Sequence, residues 1–261
     1  MGSPAAAAIE LFVRRLTSRS VLTSDEEDAI HGLKGEVQQI VSHRDFVQLG
    51  QPVDHCCLVM DGLVGRFGQR RDGARQITCL YIPGDLADLS SVVSPKSAWG
   101  LSALTGTTLY RVPHVEIRRI AALHPGIAEA LWRDCIADGS IFSEWVVNVG
   151  RRSSATRVAH LLCEMAIRYE RCDRGNRNSF AFPITQLGLG DATGLTAVHT
   201  NRTLKSLRMQ SGVTVRDKTV TIPDWNQLAS IGEFKADYLL FDGPAPPIIR
   251  MAKILSSELH Y

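Results

Sequence analysis

The chain has 261 residues, 44% of them hydrophobic and 21% charged, which suits two domains with ordinary apolar cores. No run approaches the roughly 18 consecutive apolar residues of a membrane span, and Met1 to Ala8 lack the basic and long apolar regions of a secretory signal, so this end reads as a frayed tail on a cytosolic protein with no membrane partner. The net charge of +2 hides an asymmetry: residues 151–221 hold twelve Lys/Arg against five Asp/Glu, residues 1–150 fourteen against seventeen, and residues 222–261 three against five.

In chain order, residues 25–48 read as a helix and then an extended segment. Asp25, Glu26, Glu27 and Asp28 make an acidic first turn behind a Thr23 or Ser24 cap, as a helix N-terminus favours. From residue 50 a turn rhythm sets in, with glycines at 50, 62, 73 and 84 and the pairs Asp61-Gly62 and Asp72-Gly73. Such pairs favour hairpins because the turn needs positive φ. Short apolar runs lie between them, so the segment reads as an antiparallel barrel or roll.

After Pro125 the period becomes helical. Ile127, Leu131, Ile141, Trp145 and Val149 share a face of a helix about 25 residues long. That face either pairs with a second copy of the chain or packs on its own barrel. Residues 153–171 form a further amphipathic helix. The six cysteines include no C-x-x-C pair, and in a cytosolic chain most serve as small buried hydrophobes rather than disulfides or ligands.

The stretch from Thr185 to Arg208 reads as two short helices about a tight turn. Thr185 caps the first, Gly194 supplies positive φ at the reversal, and Thr196 caps the second. On the second helix Thr200, Leu204 and Leu207 face inward, while Ala197, Val198, Asn201, Arg202 and Lys205 face out. A narrow stripe ending in basic residues suits the major groove. Residues 212–222 then alternate as a β-wing, with Arg216 or Lys218 at its tip for phosphate. The positive surplus of residues 151–221 fits a polyanion, although charge alone also fits a solvated surface.

The run Gly194-Leu195-Thr196 with Asn201-Arg202-Thr203-Leu204, and the preceding Arg151 to Leu162, closely resemble the cyclic AMP receptor/FNR superfamily of bacterial transcription regulators. The resemblance spans residues 20 to 234 and is specific over 151–222. It implies an α+β fold. An N-terminal antiparallel β-roll of the cyclic-nucleotide-binding type covers residues 1–125, a dimerisation helix 126–152, and a winged helix-turn-helix 153–234, with a tail over 235–261. It implies a homodimer on double-stranded DNA, with RNA polymerase as a further partner. Arg202 falls on the family's base-reading arginine, Thr196 and His199 on phosphate contacts, and Val198 where the best-known members carry a glutamate.

The sensor side departs from the family. Gly84, Asp85 and Asp88 stand near the expected Gly-Glu pair, and Lys96 and Ser97 replace Arg-Ser. Lysine lacks the guanidinium fork, so this candidate effector pocket is expected to bind cyclic nucleotide weakly or not at all. No cofactor is required, and no cysteine precedes Cys56 to hold an iron–sulfur cluster. His55-Cys56-Cys57 suggests a haem or metal ligand, or simply strand residues alternating between core and surface. There is no P-loop, no Gly-x-Ser-x-Gly and no His-Glu-x-x-His, which argues against an enzyme. The remaining rival is a ligand or redox sensor without promoter binding. Beyond an Asp242 to Pro247 linker, a short helix is expected over Ile248–Leu259, with Ile249, Ile254 and Leu255 packed on something.

Overall fold

The computed structural model describes residues 4–241 and 243–248. It opens with a helix, α1 (Pro4–Thr17), where the sequence reading expected a frayed tail. Ala8, Ile9, Phe12, Val13 and Leu16 recur at helical spacing and are all buried, so the alanine-rich start is held by an apolar face. Helix α2 (Ser24–His31) follows, closed by a capping box between Thr23 and Glu26.

Eight strands build the roll: β1 (Glu36–Ile40), β2 (Arg44–Val47), β3 (His55–Asp61), β4 (Val64–Gln69), β5 (Arg75–Tyr81), β6 (Leu86–Ala87), β7 (Gly100–Ala103) and β8 (Thr107–Pro113). They form two antiparallel sheets, ordered β1-β8-β3-β6 and β2-β7-β4-β5. Ile40, Val59, Val64, Leu101 and Leu109 fill the space between them. Asp72-Gly73 sits in the turn of a true hairpin, β4 with β5, with Gln69 opposite Arg75. Asp61-Gly62 does not make one. Gly62 has φ of 93°, but β3 and β4 belong to different sheets, so this turn is a corner of the roll.

Two helices then run from the roll: α3 (His114–Leu123) and the 27-residue α4 (Pro125–Arg151). Ile127 and Leu131 are buried with α1 and β3, whereas Ile141 and Trp145 are buried with the helices that follow. Those four, 0–6% exposed, are thus taken up by the chain's own cores, and Val149 is half-buried. The face expected to meet a second copy is covered from within, because α4 lies between two lobes that each need an apolar wall. Its outward face carries Trp132, Ile136, Val146 and Val147, 46–61% exposed.

The C-terminal lobe contains α5 (Ser154–Arg171), β9 (Gly175–Asn176), β10 (Ser179–Ala181), α6 (Gln186–Thr193), α7 (Ala197–Ser211), β11 (Thr214–Arg216), β12 (Thr219–Thr221) and α8 (Trp225–Ile231). Its sheet has the order β11-β12-β10-β9. Phe67, Ile77 and Leu80 of the roll share its core, and the Gln76 side chain donates to the Asp191 carbonyl at 2.7 Å. The chain then returns to its beginning. Val21 N–H donates to the Ala245 carbonyl at 3.1 Å, and Arg133 donates to the same carbonyl at 2.7 Å. The helix expected over Ile248–Leu259 lies outside the described residues beyond Ile248. Among the described residues no helix is long and apolar enough to cross a membrane.

Candidate nucleic-acid interface

The helix pair is set by local chemistry. Thr185 Oγ1 accepts from Gly188 N–H at 3.0 Å and caps α6. Gly194 ends α6 with φ of 67°, a left-handed conformation that favours glycine. A Cβ at Gly190 would stand 2.5 Å from the Leu195 carbonyl, so this glycine lets the turn close on α6. Thr196 Oγ1 then accepts from His199 N–H at 3.3 Å and caps α7.

Helix α7 buries Thr200, Thr203 and Leu207. Ala197, Val198, His199, Arg202 and Lys205 are exposed, Val198 to 65%. Asn201 is only half-exposed, since its side chain donates to Gln186 Oε1 of α6 at 3.3 Å. Thr196, Val198, His199 and Arg202 share one cleft with Ser154 and Ala155 at the start of α5. Sequence reasoning missed this neighbour, although Arg151-Arg152-Ser153-Ser154 already marked it as a basic helix start capped by Ser153.

Thr185 and Lys218 stand apart from that group. Both line a second cleft, between the wing and the roll, together with His43, Asp61 and Arg174. The wing turn has positive φ at both Asp217 and Lys218, the two-residue geometry that matches strand twist.

The basic surplus divides into two uses. Arg152 pairs with Glu144 at 2.6 Å, Arg168 with Asp85 at 2.8 Å and Arg177 with Glu170 at 2.7 Å. The first two lie inside and hold the fold together, while the third is a surface pair. Arg151, Arg174, Arg202, Lys205, Arg208, Arg216 and Lys218 are exposed and give this lobe its outward positive charge.

The five residues read as an effector pocket do not come together. Gly84 has φ of 95° and packs against Leu11 of α1. Asp85 is 4% exposed and bonds Arg15, Arg168 and the Ile82 N–H. Ser97 is buried and donates to the Trp99 carbonyl at 2.7 Å, while Lys96 is exposed beside Pro52. Gly84 and Asp85 line one cavity, of about 190 Å³ between α1, the roll and α5; a separate one of about 270 Å³, between the roll and α4, is lined by Asp88. Burial pushes its carboxyl up to about 6. Arg66, Tyr81, Trp99, Asp138 and Phe142 complete the walls, with the Arg66 guanidinium 5.6 Å from the Trp99 ring and 5.8 Å from that of Phe142.

His55 bonds Asp54 at 2.6 Å. Cys56 and Cys57 are both buried rather than alternating, and burial pushes the Cys57 thiol up to about 12. A thiol kept protonated is a poor metal ligand.

Residues 156–231 match the model of the Crp-like helix-turn-helix domain. The chain is 20% identical over 211 residues to the anaerobic regulatory protein of Haemophilus influenzae, covering 80% of this chain and 81% of that protein. It is 24% identical over 165 residues to the nitrogen fixation regulation protein FixK of Azorhizobium caulinodans, covering 63% and 66%. Among solved structures, FixK2 from Bradyrhizobium japonicum shares the fold at a TM-score of 0.68 and 21% identity, over 76% of this chain and 98% of that one. The c-di-GMP responsive global regulator CLP of Xanthomonas campestris does so at 0.60 and 14%, over 77% and 99%.

Proposed function

The chain belongs to the Crp/Fnr family of transcription regulators, and on that premise we propose that it binds an inverted-repeat operator as a homodimer under the control of an effector. The observation that carries this reading is the exposed first half of α7, with Val198, His199 and Arg202 in one cleft beside the start of α5. Arg202 is the guanine reader, through O6 and N7. Ala197 and Val198 offer a thymine methyl an apolar surface. Thr196, His199 and Lys205 take phosphate, with Thr185 and Lys218 as flanking phosphate contacts. Asn201, tied to Gln186, orients α7 on α6 as well as facing DNA.

The seam between copies runs along the outward face of α4. Trp132, Ile136, Ser143 and Val146 recur there at spacings of three, four and seven, and all are exposed. Two such helices pair through an apolar stripe of this kind, and the half-sites they present lie ~34–36 Å apart. RNA polymerase is the further partner of a regulator acting at a promoter. A sensor without promoter binding would leave the outward face of α7 without a role.

The test is selection of duplexes from random DNA by the purified full chain, followed by affinity against salt. An inverted repeat should emerge, with affinity falling steeply as salt rises. Retention of no duplex at low salt would overturn the reading.

A further inference from the structure

A buried ion cluster joins α1, the roll, α4, α5 and the returning tail. Arg15 of α1 donates to Asp134 of α4 at 2.7 Å, to Asp85 of the roll at 2.5 Å and to Asp138 of α4 at 3.0 Å. Asp85 in turn accepts from Arg168 of α5 at 2.8 Å. Arg168 also donates to the Leu80 carbonyl at 2.7 Å and to Glu164 at 3.1 Å. The other oxygen of Glu164 accepts from Trp145 of α4 at 2.8 Å and from Tyr238 of the returning tail at 2.9 Å. Removing one partner from such a network strands the others in low dielectric.

Two members of the cluster, Asp134 and Asp138, reach the cavity between the roll and α4, and Asp138 is the more open of the two, 20% exposed against 4%. The Asp138 carboxylate thus faces both that cavity and the guanidinium of Arg15. The charges are also unequal: Arg15, Arg19 and Arg168 meet Asp85, Asp134, Asp138 and Glu164. Asp138, the more exposed of the two cluster carboxylates at the cavity, is the one whose environment is most readily altered from it, and Arg66 faces it there.

We infer that Arg15 is a positioning residue for DNA binding: through Asp85 and Arg168 it holds α5 against the roll, and through Asp138 that hold senses what occupies the cavity. This rests on the DNA-binding reading above. Neutralising Asp138, by a proton or by a donor group placed in the cavity, removes one of three bonds that orient Arg15. Its hold on Asp85 loosens, and with it the docking of α5. In the docked form Thr185 and Lys218 line the cleft against the roll, so loosening frees both for phosphate.

A proton is the probe at hand. Burial pushes the Asp138 carboxyl above the usual carboxylate range against the pull of Arg15. Asp134 and Cys135 on α4 and Asp85 on the roll also face it, as do Arg66 of β4, Tyr81 and Cys79 of β5, and Asp88.

The experiment follows backbone hydrogen exchange in α5 and α6, and affinity for the selected duplex, between pH 7.5 and 5.5. It uses the full chain, Asp138→Asn, Arg15→Met and Arg15→Lys. In the parent, acidification should speed exchange in α5 and raise affinity by about fivefold or more, the lower bound of a working allosteric coupling. Asp138→Asn should show the low-pH behaviour already at pH 7.5. Arg15→Met should remove the part of the dependence that Asp138→Asn also removes, and Arg15→Lys should restore some of it. The readout is the difference between each variant and the parent, which removes what all four proteins share. Should Arg15→Met fail to fold, the nearly isosteric Asp138→Asn still decides. A parent pH dependence kept unchanged in Asp138→Asn overturns the inference. An exchange response without any selected duplex instead overturns the DNA-binding reading and leaves the coupling intact.

Discussion

Replacing Arg202 by alanine separates base reading from folding. The side chain is exposed on α7, one turn beyond Val198, and its neighbours Thr203 and Leu207 carry the packing. Truncating it should change stability by no more than about 0.5 kcal/mol. On DNA it removes a bidentate guanine contact worth about 1–3 kcal/mol per half-site. A homodimer loses the contact twice, so affinity for the selected operator should fall by about 2–6 kcal/mol, roughly thirtyfold to twenty-thousandfold. The preference at one base pair of each half-site should relax. Lys205→Ala is the control, because a phosphate contact carries no sequence: it should weaken all duplexes alike and flatten the salt slope by about one unit per site. The assay is duplex selection with each variant, then titration at several salt concentrations. If Arg202→Ala selects the parental sequence with parental sharpness, α7 does not lie in the groove as described.

Val198→Glu should change the preferred base rather than abolish binding, since glutamate accepts from cytosine N4 where valine can only touch a methyl; selection of an unaltered site would count against contact at this position. Ile136→Asp, on the exposed side of α4, should shift the sedimentation profile toward monomer with little change in melting, whereas an intact dimer moves the seam elsewhere. Trp145→Phe deletes the 2.8 Å bond to the fully buried Glu164 and should cost about 2–3 kcal/mol in urea unfolding; a loss under about 0.5 kcal/mol would show Glu164 satisfied without it. Asp88→Asn should stabilise the fold at pH 7.5 by about 1–2 kcal/mol after discounting partial exposure. The carboxyl is raised to about 6, so its favourable contribution is present at low pH and lost as pH rises through 6. The advantage of asparagine should therefore vanish near pH 4, and an equal gain at both pH values would contradict the assignment.

What the sequence determined by itself is what neighbours in the chain decide. The caps Thr185 and Thr196, the left-handed Gly194 and the wing turn are settled within a few residues by hydrogen bonds and backbone sterics. The caps and the turn of the helix-turn-helix were therefore legible to the residue, whereas the burial of Thr203 and the tie of Asn201 to Gln186 were not. Helix α1 was legible too, and missed: Ile9, Phe12, Val13 and Leu16 carry helical spacing behind the alanines, but a short terminal segment was read by position rather than by pattern.

Tertiary structure alone decided which partner each face takes. The period of Ile127, Leu131, Ile141 and Trp145 shows that one side of α4 is covered. It does not say whether a second copy or the chain itself covers it, because burial is non-directional and any apolar surface satisfies it. The cavity and the ion cluster lie further from reach. Asp85 was singled out by its place in a motif, yet its function follows from Arg15, 70 positions before it, and Arg168, 83 positions after it. No local preference couples residues so far apart. They meet only when roll, α1, α4 and α5 close on one another, and low dielectric then makes each charge depend on the rest.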